Sequence, residues 1–228
     1  MAERTLLVCV EGPIGVGKST LLDNIAALDT SGVATLKEPV DDWCAVDCGN
    51  GKNMLEAMYD NSLNPAIFQL TVLQSRFGPL ISALANADTK IVFSERGPWS
   101  EKYVFAKSNL NAVEFACYEY AHGSLISDLF PLAGTVEVLF LHLELPVTSV
   151  VSRIKQRGRK EEVGIDEAYL ERLDAAHGLM KSELASPSAL GCESAIIGDV
   201  RHISLDASIA PDELLAATLS IVLPLVCL

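Results

Sequence analysis

Residues 6–20 read Leu6-Leu-Val-Cys-Val-Glu-Gly-Pro-Ile-Gly-Val-Gly-Lys-Ser-Thr20, an apolar run that ends in a glycine-rich turn. Gly12, Gly17, Lys18 and Ser19 satisfy the phosphate-loop pattern G-x-x-x-x-G-K-[ST]. Phosphate chemistry dictates these residue types. Glycines let backbone N–H groups close on phosphate oxygens, and the lysine neutralises the β- and γ-phosphates. The serine hydroxyl reaches Mg2+, and the following helix offers its positive end. The candidate triphosphate cradle is therefore Gly12, Pro13, Ile14, Gly15, Val16, Gly17, Lys18, Ser19 and Thr20. A short pattern gains weight from context, and here an apolar strand precedes it and a helical run, residues 19–28, follows.

Outward from this stretch, strand and helix patterns alternate. Strands are expected at 5–10, 33–37, 90–94, 136–143 and 201–205. Helices are expected at 19–28, 66–85, 100–130, 147–156, 165–183 and 212–223. Such alternation predicts a single α/β domain over 1–228, with a parallel sheet covered on both faces. Pro146 suits a first helical turn, Pro131 and Gly134 mark a break, and the Cys48–Lys52 stretch reads as a loop.

Bulk properties narrow the function classes. The 228 residues are 50% hydrophobic, enough for one substantial core. A net charge of −13, from 17 basic and 30 acidic residues, opposes non-specific nucleic-acid binding. Six cysteines lie scattered at 9, 44, 48, 117, 192 and 227, with no second Cys or His pair beside Cys44 and Cys48. Reduced thiols of a cytoplasmic protein fit better than zinc or disulfides. No signal, transit or membrane-spanning segment is expected; the apolar tail from 214 is short and holds Pro224, and Cys227 is misplaced for prenylation.

Ligands of such sheets bind beyond the carboxyl ends of the strands. That rule joins three segments into one site: the phosphate loop, Lys37-Glu38-Pro39-Val40, and Ser94-Glu95-Arg96. One carboxylate can serve Mg2+, and the other can take a proton from an attacking hydroxyl. Each also fits a capping acid or a salt-bridge partner. Arg153, Arg157 and Arg159 follow the fourth strand within seven residues, the first two four apart on one helical face. Beside a phosphate loop they suggest an arginine-bearing lid over about 153–164; a solvated charged helix is the plainer alternative.

Six ordered motifs resemble the deoxynucleoside kinases of the deoxycytidine, deoxyguanosine and mitochondrial thymidine kinase type. They are EGPIGVGKST at 11–20, EPVDDWCAV at 38–46, GNGKNMLEAMY at 49–59, FQLTVLQSR at 68–76, ERGPWSEKYVFA at 95–106 and RGRKEEVGIDEAYLERL at 157–173. The resemblance implies a P-loop kinase fold, strand order 2-3-1-4-5, and transfer of the ATP γ-phosphate to a deoxynucleoside 5′-hydroxyl. Glu38 would be the base, and Glu95 would hold Mg2+ with Ser19. Lys18, Arg96, Arg153, Arg157 and Arg159 would stabilise the transferring group. Tyr59 and Glu162 match the pair on the sugar 3′-hydroxyl, and Gln69 the amide that reads the base. Trp43, Phe68 and Phe105 match aromatic walls, although ordinary core packing also accounts for them.

Arg76 and Glu101 match the arginine–aspartate pair of the deoxycytidine and deoxyguanosine enzymes, so the pocket looks deoxycytidine-like. The acid here is one methylene longer, which can displace the arginine, and thymidine stays open. Small shifts at Val72, Arg76 or Glu101 would broaden the range. Gly97-Pro98 departs from the serine common in the family, and residues 205–211 keep little of the donor-adenine loop. A homodimer through helices 66–85 and 100–130 is implied. The alternatives are a nucleoside monophosphate (thymidylate) kinase, whose acceptor carries an extra phosphate, and a catalytically silent nucleotide-binding module. A regulatory GTPase lacks its guanine-reading N-K-x-D segment here.

Overall fold

The computed structural model describes residues 4–49, 51–129, 132, 136–185 and 201–226. Five parallel strands form one sheet in the order β2-β3-β1-β4-β5. They are β1 (Thr5–Glu11), β2 (Val33–Leu36), β3 (Ile91–Glu95), β4 (Val136–Glu144) and β5 (Arg201–Asp206). Every residue of central β1 is buried, which is why it reads as a continuous apolar run. Leu6, Val8 and Val10 feed one core, while Leu7 and Cys9 feed the other, the period of two that a strand imposes.

The first core packs beneath α1 (Lys18–Ala26), α8 (Val147–Arg157) and the C-terminal α10 (Pro211–Val226). The second packs beneath α4 (Pro65–Ala85), α7 (Ala112–Ser127) and α9 (Glu167–Leu184). Two short helices, α2 (Val40–Ala45) and α3 (Met54–Tyr59), were not legible as helices in the sequence. They enclose a small core of Trp43, Met54, Leu55, Phe68 and Val72. The 48–52 stretch is a loop, closed by an isolated bridge between Asp47 and Asn53.

One expected helix needs correction. The stretch 100–130 is not continuous: α5 (Pro98–Ser100), a π-helical segment Glu101–Ala106 and α6 (Lys107–Asn109) precede a break. Leu110 is extended there, and the Asn111 side chain accepts from the N–H groups of Val113 and Glu114. Glu114 reaches back to the Asn111 N–H, which completes a capping box and starts α7 afresh. Pro98 occupies the first position of α5, where its missing N–H costs nothing. Phe130, Pro131, Gly134, Cys192 and Cys227 lie outside the described residues. Among the described residues, no helix is long and apolar enough to cross a membrane, and Cys9, Cys44, Cys48 and Cys117 are free thiols.

Candidate active site

The turn from β1 to α1 depends on glycine. At Gly12 φ is +135°, and a Cβ would come within 2.5 Å of the Leu143 carbonyl. Gly17, at φ +116°, precedes α1 and brings no side-chain cap, so the first-turn N–H groups keep their donors for an anion. Lys18 is buried, its Nζ 3.2 Å from the Gly12 carbonyl and 2.9 Å from that of Pro13. Burial lowers its pKa to about 7; Arg96 pushes the same way, against Glu95, Glu38 and Glu11.

Parallel pairing sets Val10 of β1 level with Glu95 of β3, which brings the carboxylates to the loop. Ser19 Oγ donates to Glu95 Oε1 at 2.8 Å, and the Glu38 N–H donates to Glu95 Oε2 at 3.4 Å. Arg96 Nε donates to Glu38 Oε1 at 3.0 Å, while Arg96 Nη1 reaches the Gly12 carbonyl at 2.8 Å. Burial raises the Glu38 pKa, but Arg96, Arg76 and Lys18 outweigh it, and the net shift is downward. Glu38 is therefore ionised at neutral pH. Arg96 holds φ +64°, an unusual backbone state for a residue with a Cβ. Fully buried Glu11, not singled out in the sequence, accepts from the Gly97 N–H at 2.7 Å. Burial raises its pKa, against Arg96.

One cavity of about 990 Å3 joins this region to an aromatic chamber on one side and to Ala207, Ile209, Pro211 and Leu214 on the other. Trp43, Phe68 and Phe105 line the chamber with Tyr59, Gln69, Val72, Glu101 and Glu162. Trp43 meets Phe68 edge to face at 6.1 Å and donates from Nε1 to Ser75 Oγ at 3.1 Å. The Arg96 guanidinium lies 4.6 Å from the Phe105 ring centroid. Gln69 is 1% exposed, and its Oε1 has no hydrogen-bond partner. Burial raises the Tyr59 pKa, and Tyr169, Glu162 and Glu38 add to it, so the phenol keeps its proton.

Arg76 stands outside the cavity lining. It pairs with Glu101 and donates from Nη2 to the carbonyls of Glu95 at 2.5 Å and Arg96 at 3.0 Å. Of the phosphate loop, residues 14–20 line the cavity, whereas Gly12 and Pro13 turn their carbonyls to Lys18.

The arginines after β4 divide by role. Arg153 Nη1 donates to the Val16 carbonyl at 2.7 Å and Nη2 to that of Ala207 at 2.8 Å, which ties α8 to two loops. Gly158, at φ +66°, ends α8 and turns the chain. Arg157 and Arg159 then share Glu162, at 2.5 and 3.0 Å. Glu161 accepts from Asn53 Nδ2 at 3.0 Å, and Lys160 pairs with Glu56 at 3.1 Å, so this segment sits against α3. Neither Asn53 nor Glu161 was expected in the site, although Asn53-x-x-Glu56 carried a capping-box signature.

The donor set suits a small hard cation. Ser19 Oγ and Glu95 Oε1 are oxygen ligands side by side at the phosphate loop. Among the described residues, no group of three His, Cys, Asp or Glu side chains could hold a metal alone. A cation here would share its coordination with phosphate oxygens, as Mg2+ does.

Comparison with known proteins agrees with the geometry. The deoxynucleoside kinase family profile matches residues 8–207. Chicken deoxycytidine kinase 2 is 29% identical over 200 residues, covering 77% of this chain and 73% of its own. The thymidine kinase of Ictalurid herpesvirus 1 (strain Auburn) is 32% identical over 170 residues, covering 74% and 71%. A solved deoxyadenosine kinase from M. mycoides, with dCMP and dCDP bound, superposes with a TM-score of 0.64 at 20% identity. That superposition covers 95% of this chain and 97% of the other, and shows a shared fold.

Proposed function

This chain belongs to the deoxynucleoside kinase family, and on that premise we propose that it phosphorylates the 5′-hydroxyl of deoxycytidine in preference to thymidine, with Mg-ATP as donor. The observation that carries the reading is the cavity that runs unbroken from the phosphate loop to the chamber of Trp43, Phe68 and Phe105. Glu38 lies between the two, ionised and oriented by Arg96, where it can take the 5′-hydroxyl proton as the oxygen attacks phosphorus. Lys18 and Arg96, with Arg157 and Arg159 of the lid, stabilise the charge of the transferring phosphoryl group. Mg2+, held by Ser19 and Glu95, neutralises the phosphates when bound. Arg153, which lines the same cavity, braces two loops through one donor of each terminal nitrogen and keeps a second on each for phosphate. Tyr59 and Glu162 hold the sugar 3′-hydroxyl.

Base choice follows from hydrogen-bond roles. The Gln69 amide can serve either pyrimidine, since it both donates and accepts. The Glu101 carboxylate, paired with Arg76, offers acceptors, which favours the 4-amino group of cytosine over the 4-oxygen of thymine. Arg76 pairs with that carboxylate and holds it in place.

The test is ADP release with deoxycytidine, deoxyadenosine, deoxyguanosine, thymidine and thymidylate in parallel, on the wild type and Glu101→Gln. Deoxycytidine turnover well above thymidine, with the gap narrowed in Glu101→Gln, supports the reading. Thymidine preference removes the Glu101 argument, thymidylate alone as acceptor moves the chain to the monophosphate kinases, and no turnover leaves a silent module. Glu38→Gln should lower kcat by about 10²- to 10⁴-fold with nucleoside affinity retained. Apolar side chains exposed on α4 and α7, Ile67, Val113 and Tyr120, support a homodimer, which sedimentation would report as twice 24.5 kDa. The free thiols support a cytoplasmic location, checked by fractionation of expressing cells.

A further inference from the structure

A guanidinium has five N–H donors and no acceptor. Arg96 is 1% exposed, so the direction of each donor is set by protein. Nε serves Glu38, and Nη1 serves the Gly12 carbonyl at 2.8 Å and faces His177 Nε2 at 3.3 Å. Among the described residues no hydrogen bond reaches Nη2. Because Nη1 can only donate, His177 Nε2 must present its lone pair. The imidazole is then neutral, with its hydrogen on Nδ1.

That hydrogen has a cost. His177 Nδ1 is buried and without a partner, and a buried polar atom left unmatched in a native structure asks for a reason. Service to Arg96 supplies one. Phe105 closes the arrangement: its ring meets His177 edge to face at 6.5 Å and lies under the Arg96 guanidinium. Of the groups that face the ring, Arg96 follows β3, Lys18 is on α1 and His142 is on β4; burial first, then these three, hold its pKa well below the ordinary histidine value.

We propose that His177 is a positioning residue for phosphoryl transfer: its Nε2 lone pair turns the Arg96 guanidinium so that Nη2 is the donor left for phosphate oxygens. The proposal rests on the role given above to Arg96. A displaced transition-state donor lowers turnover far more than it lowers ligand affinity.

Two variants separate positioning from packing. His177→Phe fills the space without an acceptor, and His177→Gln restores one. His177→Phe should lower kcat on the order of 10- to 100-fold, with Kd for ATP and for nucleoside within about threefold of wild type. His177→Gln should regain most of that loss. The proposal is overturned if His177→Phe keeps kcat within twofold, or if both variants lose kcat in step with melting temperature. Imidazole ¹⁵N shifts in the wild type give an independent reading that needs no variant. They should show Nε2 bare and Nδ1 protonated; the other tautomer or a charged ring refutes the arrangement. Normal wild-type turnover with unaffected variants removes only this inference, whereas a wild type without kinase turnover removes the proposed function as well.

Discussion

Burial and Arg96 bring the Lys18 ammonium down to about 7, and a triphosphate against Nζ reverses that shift. The sign of the linkage follows. Well below pH 7 the lysine is already charged, so Mg-ATP binding takes up little or no proton there. Above pH 7 it is neutral in the free chain and charged in the complex. Binding should then take up close to one proton at pH 8, and affinity should fall as pH rises. Calorimetry in buffers of different ionisation enthalpy measures this, and Lys18→Met should abolish the uptake. Zero uptake at pH 8 in the wild type would mean that the lysine stays charged in its buried site. Position beyond a strand end marked Glu38 and Glu95 in the sequence as candidates, and both meet at the phosphate loop. His177 and Glu11 were not legible there. His177 sits between buried Leu173 and Met180 at helical spacing and reads as core, since the groups that give it meaning come from β3 and α1.

Helix boundaries followed the periodic pattern wherever one face alone is buried, as in α1, α8 and α9. The stretch from Pro98 to Ser127 shows where that signal stops. Its π-helical segment, Glu101–Ala106, places Glu101 and Phe105 in the cavity while Val104 and Ala106 enter the core. A π turn adds a residue to each turn of helix, and hydrophobic periodicity cannot announce that extra residue. The break that follows left a signal that the expected helix 100–130 ran past: Asn111-Ala-Val-Glu114 is a capping box. Asn111→Ala should cost about 1 kcal/mol, a fall of roughly 2–4 °C in melting temperature for a domain of this size. Asn111→Ser should keep most of the cap. An unchanged melting temperature in Asn111→Ala would indicate that α7 is held by its packing alone. Arg153 carries the same lesson. Its place on one face of α8 was evident from spacing, but its partners are two backbone carbonyls from segments far apart in sequence.

At the scale of the molecule, the alternation of strands and helices predicts a parallel sheet, and the rule that such sheets bind ligands at their carboxyl ends predicts where the cavity lies; the order of the strands is implied by the family resemblance and not by the pattern. The distribution of charge did not follow, because composition gives a sum and not a map. Four arginines at the site are matched with carboxylates: Arg76 with Glu101, Arg96 with Glu38, and Arg157 and Arg159 with Glu162. Asp23, Asp41 and Asp42 also line the cavity, on a chain whose net charge is −13. If the net charge governs the approach, a Mg-ATP anion should be repelled before it finds the phosphate loop. Added electrolyte, with a Debye length near 10 Å at 0.1 M, should mute that repulsion. Stopped-flow association of Mg-ATP should accelerate as ionic strength rises from about 10 to 150 mM. The uncharged nucleoside should associate at an unchanged rate. A slower Mg-ATP encounter in salt would mean that the interior cations steer after all. If the exterior charge governs, the crowded electrolyte of a cell is the medium in which this acidic chain meets its anionic substrate most readily.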